Sequence, residues 1–181
     1  MPRIAPVDTA NADAGVQATL AAVKAKIGMV PNLFKTFAHA PVVLNAFLAT
    51  SDALAGGKLT NRQREIIALA VGQANGCEYC LSAHTLTGKG AGLSAEAIVA
   101  ARHGKGVDAL DHAIATLARA IVDARGKISD AQLAEARLAG LDDAQIVEIV
   151  AGVAVNTLTN FMNNVAHTEV DFPKVSTELA A

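Results

Sequence analysis

The chain has 181 residues, of which 15 are Lys or Arg and 17 are Asp or Glu, so its formal net charge is −2 and its isoelectric point is about 6.2. This length predicts one domain with a substantial core, and the lack of a basic cluster argues against nucleic acid and anionic membranes as partners. The longest apolar runs are seven residues, whereas roughly 20 are needed to span a bilayer, and residues 1–15 show no signal-peptide pattern, so we expect a soluble, cytoplasmic protein.

The composition predicts an all-α fold, because alanine is abundant, aromatic residues make up only 3% of the chain and period-two alternation is scarce. Apolar spacing, N-capping residues and glycine or proline breaks together locate the helices. In chain order we predict helices at residues 14–27, in a short segment ending at 38, from 41 to the glycine pair 56–57, and at 60–74, 77 to 88–90, 94–104, 108–125, 129–139 and 142–167.

The spacing also predicts which side chains face inward. In the helix that begins at Pro41, we expect Val43, Phe47 and Leu54 to point to the core. In the last helix we expect an apolar stripe made of Ile146, Ile149, Val150, Val153, Leu158, Phe161 and Met162. Because 52% of the residues are apolar and only 18% are charged, we expect the surplus apolar surface to be used in subunit contacts of a homo-oligomer.

Both cysteines and the only tyrosine lie in the segment Cys77-Glu78-Tyr79-Cys80. Two cysteines are too few for a secreted disulfide scaffold, and in a cytosolic chain this C-x-x-C spacing indicates a redox or metal site. In a helix that begins near Cys77, positions 77, 80 and 84 share one face, so His84 joins the two thiols.

Glu65, on the preceding helix, can reach His84 if the two helices pack antiparallel. A carboxylate, an imidazole and a thiol then form a proton relay. Such a relay suits peroxide chemistry, because a thiol with a pKa of roughly 8.5 is mostly protonated at neutral pH. Oxidation to a sulfenic acid and attack by the second cysteine give a disulfide, which an external dithiol must reduce.

The pattern Glu65-x11-Cys77-x2-Cys80-x3-His84 resembles the signature of the alkylhydroperoxidase AhpD-like proteins in the carboxymuconolactone decarboxylase superfamily. The segments 28–32 and 59–60 resemble its peroxidase-related branch. The resemblance spans roughly residues 28–173 of a single domain, and residues 1–27 form an N-terminal arm and helix. It implies an all-helical homo-oligomer that reduces peroxides with thiols and without haem, flavin or metal.

By motif position, Cys80 matches the peroxide-reacting cysteine of the family and Cys77 the resolving cysteine, while His84 and Glu65 match the relay. The implied partners are a hydroperoxide substrate and a dithiol or thioredoxin-like reductant. The chain departs from the family at Tyr79, where known peroxidase members carry a histidine. A phenol with a pKa near 10 cannot replace a base at neutral pH, although it can donate a hydrogen bond.

Which cysteine is the more acidic is left open by the residues alone. The helix N-terminus favours a thiolate at Cys77, whereas proximity to His84 favours Cys80, which we prefer. The alternatives for the motif are inert buried thiols, a zinc site of Cys77, Cys80 and His84, a lactone decarboxylase or hydrolase of the same superfamily, and a non-enzymatic redox sensor whose disulfide controls an oligomer interface.

Other polar residues have structural interpretations. Glu65 alone could be a half-buried charge paired with Arg62 or Arg64. We interpret the remaining histidines, His39, His103, His112 and His167, as surface or structural groups, with His39 as a candidate for the cavity mouth. For the series Asn156, Asn160, Asn163 and Asn164 we favour hydrogen bonding between helices at a subunit contact over a place in the active-site wall.

Overall fold

The computed structural model describes residues 1–179, and within them every regular element is a helix. A single 3-10 turn, Thr9–Asn11, precedes nine α-helices. These are α1 (Ala14–Ile27), α2 (Asn32–Phe37), α3 (Pro41–Ala55), α4 (Asn61–Ala74), α5 (Glu78–Gly90), α6 (Ala95–Arg102), α7 (Ala109–Asp123), α8 (Asp130–Leu138) and α9 (Asp143–Ala166). The predicted all-α class is therefore confirmed.

Local capping chemistry explains why the predicted boundaries agree closely with the observed ones. Capping boxes precede α4, α8 and α9, where the side chain of Thr60, Ser129 or Asp142 accepts from a backbone N–H while a glutamine three residues later accepts from the cap residue. Such caps use hydrogen bonds within four residues of the chain. They can therefore be read without knowledge of the tertiary fold.

Helix α4 is the centre of the fold and packs against α5, α6, α7 and α9. Its seven-residue apolar run, residues 66–72, is completely buried, so this run serves the core of the protein. A helix that is apolar on all sides must be surrounded by others. The main core joins α4 to α6, α7 and α9 through side chains such as Leu69, Ile114 and Ile149.

A second buried cluster lies where α1, α2 and α3 cover the beginning of α5. Leu20, Phe37 and Leu44 of the covering helices surround Cys77 and Cys80. The two thiols are therefore placed between helices rather than on the surface. The predicted inward face of α3 is confirmed in part. Val43 and Phe47 are half-buried and pack against this cluster, and Leu54 is half-buried at the cavity, but the fully buried residue is Leu44, which was not predicted.

The inward stripe predicted for α9 is also partly wrong. Ile149 and Val153 are buried, but Val150, Leu158 and Phe161 are exposed. Helix α9 packs against α4 and α7 and also contacts α2, α3 and α5, while several of its large apolar side chains remain exposed. By length and composition alone α9 could cross a membrane, and it is the one helix in residues 1–179 that meets this test. In this structure it is part of the helical core.

Candidate active site

The turn between α4 and α5 places both cysteines. Gly76 adopts a left-handed backbone with φ of +59°, a conformation that is easy only for glycine, and the Cys77 N–H bonds to the Gly72 carbonyl. Cys77 is the N-cap of α5, and its sulfur accepts a hydrogen bond from the Cys80 N–H at 3.3 Å. The C-x-x-C spacing therefore puts both sulfurs at one helix end.

The two sulfurs form a close, reduced pair. Cys77 Sγ donates its proton to Cys80 Sγ across 2.7 Å, and both cysteines are free thiols. Their exposed fractions are 0% for Cys77 and 3% for Cys80, so Cys80 is the one with a trace of accessible surface. This geometry suits the formation of a disulfide between them.

The environment gives the two thiols opposite acidities. Cys80 accepts a hydrogen bond from Cys77, and the positive charge of His84 and the amide of Asn163 also stabilise its thiolate. Together these effects outweigh burial and lower the pKa of Cys80 to about 6. The same shared hydrogen bond and burial raise the pKa of Cys77. At neutral pH the pair therefore holds a thiolate at Cys80 and a thiol at Cys77. This supports the preference for Cys80 as the nucleophile.

Glu65 and His84 meet as the antiparallel packing of α4 and α5 predicts. His84 Nδ1 lies 2.9 Å from Glu65 Oε2, and the same oxygen accepts a hydrogen bond from Thr87 Oγ1 at 2.6 Å. The alternative partners of Glu65 are engaged elsewhere, because Arg62 pairs with Asp111 and Arg64 donates to the Leu59 carbonyl.

This contact changes the protonation of both groups. Burial acts to raise the pKa of Glu65, but the charge of His84 and the hydrogen bond from it prevail and lower that pKa. Burial acts to lower the pKa of His84, but the Glu65 carboxylate prevails and raises it. The pair is therefore an imidazolium and a carboxylate over a wider pH range than either group alone would be. His84 is thus better suited to donate a proton than to accept one.

His84 and Cys80 make no direct hydrogen bond within residues 1–179, yet both line one cavity of about 420 Å³. Most of the cavity wall is apolar and comes from α2, α3, α4, α5 and α9, including Leu33, Phe34, Phe47, Ile67, Val155 and Phe172. The polar groups that face it include Glu65, His84, Arg64 and Glu148. A concave, apolar site with a few convergent polar groups is typical of small-molecule binding.

Tyr79 holds the segment that follows α9 in place over this site. Its hydroxyl donates to Asp171 Oδ1 at 2.8 Å and accepts from the Leu33 N–H at 3.2 Å. Burial, reinforced by the Asp171 carboxylate, raises the pKa of the phenol. Tyr79 therefore stays protonated and cannot serve as a base. The hydrogen-bond donation expected for this residue is present in the structure.

The asparagines of α9 bond within this chain, and one of them reaches the cysteines. Asn163 Nδ2 donates to Cys80 Sγ at 3.3 Å, whereas Asn160 and Asn164 bond to Asn75 at the end of α4. The predicted hydrogen bonding between helices is present, but for these three residues it occurs within one chain, and a subunit contact stays a prediction. The alternative place at the active site fits Asn163, which contacts Cys80, and Asn156, which lines the cavity. No spacing in the sequence connects residue 163 with the C-x-x-C motif.

The other sequence candidates lie outside the reactive group. His39 is exposed, does not line the cavity and bonds through Nε2 to the Ala5 carbonyl at 2.8 Å. Across the part of the chain that the structure describes, no three His, Cys, Asp or Glu side chains converge so that they could hold a metal ion. The zinc alternative therefore has no ligand set in this geometry.

Comparison with known proteins supports the fold described above. The Carboxymuconolactone decarboxylase family profile matches residues 41–124. A solved peroxidase-related protein from Ralstonia eutropha JMP134, described as an alkylhydroperoxidase AhpD core, shares 27% identity over 94% of this chain and 92% of its own, with a TM-score of 0.85. The profile match and the structural similarity together support an AhpD-like fold of the carboxymuconolactone decarboxylase superfamily for this chain.

Two further solved structures have a similar fold. A peroxidase-related protein from Silicibacter sp. TM1040 shares 25% identity over 92% of this chain and 91% of its own, with a TM-score of 0.80. The debrominase Bmp8, solved with 2,3,4-tribromopyrrole as a cysteine-to-alanine variant, has a TM-score of 0.78 at 17% identity, over 93% of this chain and 91% of its own. No curated protein matches the chain significantly.

The superfamily profile covers Glu65, Cys77, Cys80 and His84 but ends before α9. Asn163 and Asp171, which contact Cys80 and Tyr79, therefore lie outside the matched region. The tertiary structure is needed to bring these residues to the site.

Proposed function

We propose that this protein reduces hydroperoxides with its own thiols, using Cys80 as the nucleophile. The observation that carries the proposal is the Cys80 sulfur, which has a lowered pKa, opens on an apolar cavity and lies 2.7 Å from a second thiol. The ion pair of His84 and Glu65 lines the same cavity. A thiolate, a proton donor and a resolving thiol are the groups that two-electron peroxide reduction requires.

In the first step, the Cys80 thiolate attacks the terminal oxygen of a hydroperoxide bound in the cavity. A sulfur–oxygen bond forms and the oxygen–oxygen bond breaks, so Cys80 becomes a sulfenic acid and the peroxide leaves as an alkoxide. The His84 imidazolium supplies the proton that converts the alkoxide to an alcohol, and Glu65 stabilises the imidazolium before that transfer.

In the second step, Cys77 attacks the sulfur of the Cys80 sulfenic acid. A disulfide forms and the hydroxyl group leaves with the Cys77 proton as water. A dithiol, in the cell a thioredoxin-like protein, then reduces the disulfide by thiol exchange and restores both thiols. A cytoplasmic location, where such reductants are maintained, belongs to this proposal, as does the assignment of roles to Glu65, Cys77, Cys80 and His84.

Thiol counting during peroxide titration tests the proposal. We expect tert-butyl hydroperoxide to remove two thiols per chain and to be consumed continuously when dithiothreitol is present. Cys80→Ser should abolish both effects. Cys77→Ser should stop after one equivalent of peroxide and leave a sulfenic acid that dimedone traps, so this variant is the matched control for the order of the steps.

Two outcomes contradict the proposal. Thiols that survive excess peroxide would leave the lactone decarboxylase or hydrolase chemistry of the superfamily as the candidate, because that chemistry has no use for the cysteine pair. Oxidation without turnover, accompanied by a change in the sedimentation coefficient, would identify a redox sensor instead.

A further inference from the structure

Asn163 is the one side chain outside α5 that hydrogen-bonds to a cysteine sulfur in the described chain. Its Nδ2 lies 3.3 Å from Cys80 Sγ, and Cys77 Sγ is 2.7 Å beyond that atom. The donor therefore contacts Cys80 and lies beside a sulfur that is itself in contact with Cys77. The Asn163 amide also acts to lower the pKa of each cysteine.

Two polar atoms beside this contact are buried and have no hydrogen-bond partner. They are Asn163 Oδ1 and Asn160 Nδ2, in side chains whose residues are 4% and 0% exposed. Burying polar atoms without partners is unfavourable, so a position that served packing alone would favour an apolar side chain. Two such amides next to a reactive thiol therefore indicate a role in its chemistry.

Hydrogen bonds to Asn75 fix this part of α9 in place. Asn160 Oδ1 accepts from Asn75 Nδ2 at 2.9 Å, and Asn164 Nδ2 donates to the Asn75 carbonyl at 2.9 Å. Asn75 caps the end of α4, two residues before Cys77. Helix α9 is thereby tied to the turn that carries the cysteines, which positions Asn163 against them.

We propose that Asn163 is a further catalytic residue, which donates its amide proton first to the Cys80 thiolate and then, after Cys80 is oxidised, to Cys77. The second of these hydrogen bonds, the one to Cys77, rests on the proposed function. In the reduced protein the Cys80 sulfur carries the negative charge and is the better acceptor. Once Cys80 is a neutral sulfenic acid, that charge is gone and the amide can turn to Cys77.

The transfer aids the resolving step because Cys77 must then lose its proton. As Cys77 ionises and attacks Cys80 Sγ, the amide stabilises its developing thiolate. The sulfur–sulfur bond forms, the sulfur–oxygen bond breaks, and the departing hydroxide combines with the Cys77 proton. The titratable groups near the pair are Tyr79 and His84 on α5, Glu65 on α4 and Asp171 after α9. Helix α9 contacts Cys80 through the Asn163 amide, and its carboxylate Glu148 lines the same cavity.

The first half of the proposal is tested without peroxide. In a Cys77→Ser background, the pH dependence of iodoacetamide labelling reports the pKa of Cys80. We expect Asn163→Leu, which keeps the branched shape of the side chain but removes the donor, to raise this pKa by about one unit and to slow labelling about fivefold at pH 6. Asn163→Asp, which keeps the shape and adds a carboxylate, should raise the pKa further. Asn45→Leu, the same exchange at an exposed position on α3, should leave it unchanged.

The second half is tested with both cysteines present. After a rapid pulse of peroxide, acid quenching and labelling follow the conversion of sulfenic acid to disulfide, and we expect Asn163→Leu to slow this closure about tenfold. If Asn163→Leu does not fold, Asn163→Asp provides both measurements.

The two proposals fail in different ways. An unchanged Cys80 pKa in the Leu and Asp variants contradicts the role of Asn163 whether or not the protein turns over peroxide. A normal closure rate contradicts the second donation. Failure of the wild-type protein to consume peroxide contradicts the proposed function, while the labelling experiment still decides the first donation.

Discussion

The two cysteines are one helical turn apart, yet they differ in acidity because of a single shared proton. A cysteine at a helix N-terminus is favoured as a thiolate by the helix dipole, which argues for Cys77. In the structure the Cys77 proton points to Cys80 Sγ, and His84 and Asn163 both stabilise charge at Cys80. Specific donors outweigh the partial charge of the helix end. The geometry thus supports an acidic Cys80 and a protonated Cys77.

The charge of His84 leads to a pH-dependent prediction. We expect His84→Ala to raise the pKa of Cys80 from about 6 by roughly 1–2 units, because the thiolate loses a cationic neighbour. Between the two pKa values less of the variant is thiolate, so iodoacetamide should react about tenfold more slowly at pH 6.5. Above pH 9 both forms are ionised and the two rates should converge.

His39→Ala provides the control for this measurement, since His39 is exposed and bonds to a backbone carbonyl away from the cavity. Equal labelling rates for wild type and His84→Ala at both pH values would remove His84 from the activation of Cys80.

The predictability of the site residues depended on their separation in the chain. Cys77, Cys80 and His84 lie on one helix, so their common face follows from spacing, and Glu65 needed only the antiparallel packing of the next helix. Asn163 lies 83 residues after Cys80, on a helix that carries four asparagines in all. Nothing in the local sequence distinguishes Asn163 from the other three. The protonation of His84 also depends on burial, which the sequence does not give.

At the scale of elements, the segment after α9 forms a strap across the site. Asp171 accepts from both Tyr79 and the backbone N–H of Asn32, so it joins α5 to the beginning of α2. Phe172 packs edge-on against the Tyr79 ring at a centroid distance of 5.5 Å and lines the cavity. Tyr79, at the position where the family resemblance predicts a histidine, therefore has a structural function, which is to hold the strap.

We expect Tyr79→Phe to lower the free energy of unfolding by about 1–3 kcal/mol, because it leaves the Leu33 N–H and Asp171 Oδ1 without their shared partner. The phenyl ring keeps its contact with Phe172, so the packing is preserved. A looser strap should also expose Cys80 and speed its labelling. Denaturant unfolding and iodoacetamide kinetics measure the two effects.

A double-mutant cycle provides the control for this prediction. Asp171→Ala alone should cost a similar free energy, and the double variant should cost less than the two together, since the residues act through one hydrogen bond. Strictly additive losses would show that Tyr79 does not stabilise the protein through Asp171.

The elements themselves were predictable because capping and glycine stops are local. The start of α4 at the Thr60 capping box and the left-handed Gly76 follow from a few neighbouring residues. Which face of a helix points to the core is not determined by neighbouring residues in the sequence. Helix α9 has apolar residues on several faces, so the helices that pack around it decide that Ile149 is buried and Phe161 exposed.

At the scale of the whole molecule, the outer face of α9 indicates self-association, which stays a prediction. Large apolar side chains at successive spacings of three, eight, three and four residues form this outer stripe, namely Val147, Val150, Leu158, Phe161 and Val165. No Asp, Glu, Lys or Arg occurs from residue 149 to 168, so the helix has little charge to solvate it. An uncharged helix with such a stripe is typical of helix-to-helix contacts between subunits.

We therefore expect the protein to be a homo-oligomer in which the outer stripe of α9 is buried against a second copy. Phe161 is 56% exposed in the single chain, and Phe161→Glu would place a charge in the contact. Central aromatic residues often contribute 2 kcal/mol or more to an interface, so association should weaken by roughly thirtyfold. Sedimentation velocity over a range of concentrations measures this change.

Leu138→Glu, at an 87% exposed position on α8, should leave the assembly intact. A monomeric wild type, or equal assembly of both variants, would contradict the role of α9. In either case the apolar stripe would not be buried against a second copy of the chain.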